Sequence, residues 1–213
     1  MWTPYPETLV ESPLGEIEVE LSHPGHHHVV MGASGKADQE VFEEELLEAG
    51  IPLHKRKGGG GTVLLGPEII VVTVHAGVAH RFRNLAYFHG INQALIDVMS
   101  TWQGLPYAQR GISDIAVNDR KIVGSSIFRR RQYLLYQASI LVELNLPLMD
   151  RLLRPPTRQP DYRRNRNHAD FVTSLRALGI NHSFEDMMED LRQGLPGRLR
   201  IHLDEVDARP EEL

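Results

Sequence analysis

The chain has 213 residues, a mass of 24.1 kDa and a formal charge of −5, with 41% hydrophobic and 24% charged residues. That is the composition of an ordinary globular protein, long enough for one large domain over residues 1–213 whose core needs no staples. It contains no cysteine, which excludes disulfides, thiolate metal sites and cysteine nucleophiles.

In chain order, Glu7–Ser12 and Glu16–Leu21 read as two short strands of a hairpin. In the second, Ile17, Val19 and Leu21 alternate with glutamates. His27–Met31 reads as a strand. A helix is expected from Ala37 to Ala49, with Val41, Phe42, Leu46 and Leu47 on one face and Gly50 ending it. Ile51–Lys55 is a short strand. Thr62–Leu65 and Ile69–His75 are strands expected to form a hairpin across Gly66-Pro67. The apolar run around Ile69–Val72 is far short of the ~20 residues of a membrane span, so no membrane partner is expected. The first basic residue is Lys36, too late for a signal peptide, and a cytoplasmic location is expected. Asn84–Trp102 keeps a helical period. Asp114–Val117 and Arg120–Ser125 flank Asn118-Asp119, a two-residue hairpin turn. Tyr133–Leu144 reads as a long strand and the proline-rich, basic segment Pro155–Arg166 as a surface loop. Helices are expected at His168–Leu178 and Phe184–Arg192, then a last strand at Leu199–Val206 and an acidic tail from about 204 to 213. Strands mixed with few helices imply an α/β fold with a mixed, largely antiparallel sheet flanked by helices.

Charge is uneven along this chain. Residues 120–166 hold eleven Lys/Arg against three Asp/Glu, leaving twelve against twenty-five elsewhere. Such a basic zone suits an anionic partner as well as a solvated face packed against an acidic remainder. Aromatic residues are not interleaved with it, so no nucleic-acid role is expected. His26-His27-His28 is a weak metal candidate, because consecutive strand residues point to opposite faces.

Two elements carry chemistry. In Lys55-Arg56-Lys57-Gly58-Gly59-Gly60-Gly61-Thr62, four glycines together cost roughly 2–4 kcal/mol at ~0.5–1 each. A backbone without Cβ atoms admits a ligand closely and presents N–H groups to anions. No Gly-Lys-Ser/Thr follows, so this is not a P-loop. The second element is Ser113-Asp114-Ile115, the Asn118-Asp119 turn, and Arg120-Lys121-Ile122-Val123-Gly124-Ser125. A lysine aimed inward beside a small residue would neutralise a carboxylate or acyl phosphate; alternation alone favours an outward Lys121 on the surface.

Together, a basic pair, a glycine run with Thr-Val, then Ser-Asp-Ile, a turn, Arg-Lys-Ile and Gly-Ser resemble the lipoate–protein ligase family. So does the tract Arg154-Pro155-Pro156, Pro160-Asp161-Tyr162-Arg163, His168 and Asp170–Leu175. The likeness runs from about His28 to Leu178. It implies the catalytic-domain fold shared with biotin–protein ligases. It also implies ATP-dependent activation of lipoate to an acyl-adenylate, then transfer to a lysine of a lipoyl carrier domain. Carried over, Arg56, Gly58, Gly59, Gly60, Gly61 and Thr62 line the lipoate and adenylate pocket, with Gly124 and Ser125. Asp114 holds the nucleotide side through Mg2+. Lys121 contacts the lipoyl carbonyl and phosphate oxygens. Arg129, Arg130, Arg131, Arg163 and Arg164 are candidates to steer an acidic carrier.

The sequence departs from the family at several points. Leu65-Gly66-Pro67-Glu68 stands where the family has His-Asp-Gly-Asn, and Tyr136-Gln137 where it has paired histidines. The accessory carboxy-terminal domain of the long ligases is not in the sequence, so a separate accessory subunit is an expected partner. Two other readings follow: a non-catalytic lipoate- or acyl-binding module, and an octanoyl- or lipoyl-transferase. Transferases of this superfamily use a cysteine that this chain lacks.

Overall fold

Nine strands form two sheets in the computed structural model, which describes residues 12–156 and 158–210. The larger sheet has the order β1 (Ile17–Ser22), β5 (Ile69–Gly77), β9 (Tyr133–Leu141), β8 (Arg120–Arg130), β7 (Asp114–Val117) and β6 (Tyr107–Arg110), antiparallel throughout. The smaller has the order β3 (Leu53–Lys55), β2 (His28–Met31) and β4 (Val63–Leu65), parallel between β2 and β3. The mixed, largely antiparallel architecture read from the sequence is the one observed.

The period of two divides the central strands between two cores. Ile70, Val72, Val74 and Ala76 on β5, with Leu134, Tyr136, Ala138 and Ile140 on β9, face α3 (Asn84–Trp102) and α6 (Phe184–Ala208). From the opposite face, Val71 and Leu141 join Val29, Val30, Leu64 and Leu65 of the small sheet. This second core is closed by α1 (Ala37–Glu40), α2 (Glu43–Glu48), α4 (Leu146–Leu152) and α5 (His168–Phe171). Between Val71 and the sheet's far edge that face turns polar, with Ser126, Gln137 and Ser139 all buried. A buried polar strip between two apolar cores is where a cavity opens.

Several expectations are corrected. The hairpin over Gly66-Pro67 does not form: β4 and β5 enter different sheets, although Leu64, Leu65, Ile69 and Val71 fill one core. The expected strand Glu7–Ser12 lies, but for Ser12, outside the described residues, and β1 pairs with β5. The helix over 37–49 is broken at Val41, which is extended and bridges to Leu153. The helix from His168 stops at Phe171, because Val172 bridges to Lys121 and the Thr173 amide donates to the Lys121 carbonyl at 2.9 Å. β9 ends at Leu141 rather than 144. Tyr107–Arg110, not foreseen, pairs with β7. Leu199–Val206 is not a strand but the end of α6, and the acidic residues 204–208 belong to the same helix. Ser183 caps α6 by accepting from the Asp186 amide, and Met187, Leu191, Leu195, Leu199, Leu203 and Val206 make one buried stripe along it.

Candidate functional site

A cavity of about 970 Å3 lies between the sheets. One end is apolar, walled by Val71, Leu65, Leu141, Met149, Leu153 and Leu64. The other holds Lys121, Asp114, Ser125, Ser126, Gln137 and Ser139. A volume near 1,000 Å3 is at the upper end for small-molecule sites.

The polar end is built by the hairpin β7–β8. Asn118 and Asp119 have φ of 50° and 58°, the left-handed pair that a two-residue turn needs. The pairing then slips. Ala116 faces Lys121 while Ile115 faces Val123, leaving Ile122 as an extra residue. Ile122 and Val123 are consequently both wholly buried in the helix-side core, and Lys121 turns to the cavity face with Gly124. Gly124 makes the room: a Cβ there would stand 2.6 Å from both Cε and Nζ of Lys121. The ammonium lies 2.8 Å from Asp114 Oδ1, with the two side chains 22% and 8% exposed. The Tyr162 hydroxyl donates to Asp114 Oδ2 at 2.8 Å. Burial first, and then the charge of Asp114, push the Tyr162 phenol far above its ordinary pKa, so it stays a donor.

Both oxygens of Asp114 are thus engaged by the protein. Among the described residues no three His, Asp or Glu side chains are grouped to hold a metal. In this arrangement Asp114 is the counter-ion of Lys121. His26–His28 likewise form no metal cluster; His28 Nδ1 sits 2.9 Å from His54 Nε2.

The glycine run closes the cavity from the small-sheet side. Arg56 is a scaffold for it, donating to the carbonyls of Gly59 (2.6 Å), Gly61 (2.8 Å) and Val30 (3.3 Å). Gly58 is buried against β8, where a Cβ would meet Ser126 Oγ at 2.7 Å. Gly60 has φ +93° and, with Gly61 and Thr62, lines the cavity; Gly59 is exposed to solvent instead. The Thr62 hydroxyl donates to Glu40, a cavity carboxylate.

The tract 158–163 covers the remaining side. Arg166 staples it to the hairpin, donating to the carbonyls of Asp119 and Tyr162, each at 2.8 Å. The basic candidates separate accordingly. Arg163 is buried, its guanidinium 4.7 Å from the centre of the Phe171 ring. Arg129 donates to the His80 carbonyl and lies 5.3 Å from the Tyr87 ring centre. These two are turned into the protein, while Arg130, Arg131 and Arg164 are exposed. At the departures noted above, Gln137 lines the cavity, and Tyr136 points the other way, its hydroxyl donating to Asn92 at 2.7 Å. Sequence reasoning assigned no role to Tyr162, Glu40 or Gln137. The Pro-Asp-Tyr-Arg tract was the one signal that could have marked Tyr162.

Comparison with known proteins bears on the family and the fold. Residues 20–195 match the family described as the lipoyl protein ligase A/B catalytic domain. Among curated relatives, the octanoyltransferase LipM of Oceanobacillus iheyensis is 25% identical over 201 residues, covering 85% of this chain and 73% of that protein. The octanoyltransferase LipM of Symbiobacterium thermophilum is 26% identical over 203 residues, covering 91% and 70%. Among solved structures, a bipartite lipoate protein ligase of Thermoplasma acidophilum has a TM-score of 0.76 at 20% identity, over 88% of this chain and 73% of that one. A lipoate-protein ligase A bound with ATP has a TM-score of 0.72 at 19% identity, over 86% and 73%. At those identities the structures establish the fold. With four-fifths of its length inside the matched domain, the chain belongs to the lipoyl protein ligase A/B catalytic-domain family.

Proposed function

We propose that the protein attaches lipoate to a lysine of a lipoyl carrier domain through a lipoyl-adenylate. The observation that carries this reading is the fixed Lys121 ammonium at the polar end of a cavity whose other end is apolar, in a chain with no cysteine. An amphipathic acid fits that polarity. In the first step a carboxylate oxygen attacks the α-phosphorus of ATP and pyrophosphate leaves. In the second the carrier amine attacks the acyl carbonyl, AMP leaves, and the amine loses a proton. Negative charge develops on the carbonyl and phosphate oxygens in both steps. A preorganised cation in a site shielded from water stabilises it without reorganisation. Asp114 and Tyr162 hold that cation in place. Solved structures of this fold hold lipoic acid or ATP, and the Thermoplasma ligase is described as bipartite, with an E2 lipoyl domain. A separate activating subunit is part of the proposal for this chain.

The octanoyltransferase relatives favour a second reading, acyl transfer from a carrier thioester without ATP. A thioester on the enzyme is unavailable to this chain, so transfer would have to be direct. The deciding experiment incubates the protein with lipoate and Mg-ATP and looks for lipoyl-AMP by mass spectrometry. Its appearance supports ligation. Octanoylation of a carrier lysine from octanoyl-carrier without ATP would replace ligation with the second reading. Transfer from synthetic lipoyl-AMP without its formation would assign activation to a partner.

A further inference from the structure

The cavity shares a wall with a second hollow. Beyond Leu64 and Met149 lies a more open cleft of about 420 Å3, bordered by Gly66, Glu68, Glu143, Leu144 and Asn145. Leu64 and Met149 line both spaces. Leu64 stands on β4 and is 5% exposed; Met149 stands on α4 and is 6% exposed. Each therefore stands between the apolar end of the main cavity and the outer cleft. An acid whose carboxyl group meets Lys121 directs its far end at these two side chains. Methionine is unbranched, with three rotatable bonds, so the barrier is one flexible side chain and one leucine thick.

We propose that Leu64 and Met149 form a partition that sets the length of acyl chain the protein accepts, and that the outer cleft is a second acyl subsite behind it. This rests on the reading that the cavity takes an acyl chain. With the partition intact the acyl chain ends against Leu64 and Met149. With it reduced, the tail of a longer acid passes into the cleft beside Leu144. Each methylene taken from water there strengthens binding by about fourfold if fully buried. The cleft is open, so four extra methylenes give much less than the product.

The test measures affinity for octanoate and dodecanoate by calorimetry on the full chain, and acyl-AMP formation with Mg-ATP by mass spectrometry. The wild type is expected to bind octanoate at least tenfold more tightly than dodecanoate. Met149→Ala should shift that ratio at least tenfold toward dodecanoate, and Leu144→Trp added to Met149→Ala should reverse the shift by filling the cleft. Met149→Phe, which thickens the partition without opening a void, should weaken octanoate against hexanoate, so the inference survives a Met149→Ala chain that fails to fold. An unchanged ratio in both single variants overturns it, as does equal binding of octanoate and dodecanoate by the wild type. If acids bind but this chain neither forms acyl-AMP nor transfers the acyl group from synthetic acyl-AMP, the ligase reading falls while the ratios still decide the partition. If no acid of any length binds, both fall.

Discussion

Gly124→Ala separates the position of the Lys121 charge from its presence. The new Cβ would stand 2.6 Å from Lys121 Cε and Nζ, against an ordinary carbon contact of about 3.5–4.0 Å. The lysine head must therefore retreat by about 1 Å, which takes the 2.8 Å contact with Asp114 beyond hydrogen-bond range. Replacing a strand glycine by alanine gains about 0.5–1 kcal/mol of backbone entropy. Losing a charge-assisted contact costs about 1.5–3 kcal/mol in full burial, and less here because the lysine is 22% exposed. The two offset to within about 1 kcal/mol, so the melting temperature should move by no more than about 2–4 °C. Activity should respond far more, because misplacing a reacting group by about 1 Å can cost 10²-fold. The assay compares initial rates of adenylate formation, and of carrier acylation from preformed lipoyl-AMP, with Lys121→Ala as the floor at about 10²–10³-fold below wild type. Rates for Gly124→Ala within about threefold of wild type, at unchanged melting temperature, would refute the claim that Lys121 acts from its place beside Asp114.

Three further predictions concern charge and helix stability. Burial, together with the neighbouring His54, His26 and His27 charges, lowers the pKa of His28, and burial lowers that of His54. The unfolded chain therefore binds more protons at these sites, so their contribution is fully present above pH 6.5 and is lost as pH falls through their depressed pKa values. His54→Gln should flatten the fall in melting temperature between pH 7 and pH 5; a slope identical to wild type counts against the pair. If exposed Arg130 and Arg131 steer an acidic carrier, changing both to Glu should lower kcat/KM for the carrier several-fold and remove its salt dependence, whereas Arg163→Ala should lower the melting temperature; a salt-independent wild-type rate would end the steering argument. Pro196 lies exposed inside α6, where proline costs about 3 kcal/mol relative to alanine, so Pro196→Ala should raise the melting temperature, and a fall would show that the helix needs the distortion.

What the sequence could and could not reveal follows from the range of the forces involved. The helix Asn84–Trp102 and the Asn118-Asp119 hairpin were legible because a local period and a two-residue turn determine them. The length of α6 was not: Gly194, Pro196 and Gly197 interrupt the pattern, and tertiary burial of Leu195 and Leu199 against α3 carries the helix through. Alternation favoured an outward Lys121, and the structure turns it to the cavity because a bulge at Ile122 changes which residues share a face. Arg56 and Arg163 were visible as cations and candidates, but their donation to carbonyls three to five residues on, of Gly59 and Gly61 for Arg56 and of Arg166 for Arg163, depends on loop conformation that residue type alone does not reveal. The glycine run and Lys121 were found as a pair only through the family resemblance; the reason for the pairing, Gly58 packed on Ser126, is a contact across 68 residues.

Asp114 and Lys121 lie seven residues apart in one hairpin, whereas the groups that cover them arrive later: Tyr162 is 48 residues beyond Asp114 and Thr173 is 52 beyond Lys121. Hairpins close in about 1–10 μs, and a ribosome adds about 5–20 residues per second. During synthesis the ion pair can thus form seconds before the residues that bury it emerge. We expect the nascent hairpin to hold its charges in water through that interval. The desolvation cost is met only when 160–173 docks, in the same event that supplies the Tyr162 hydroxyl and the Thr173 amide.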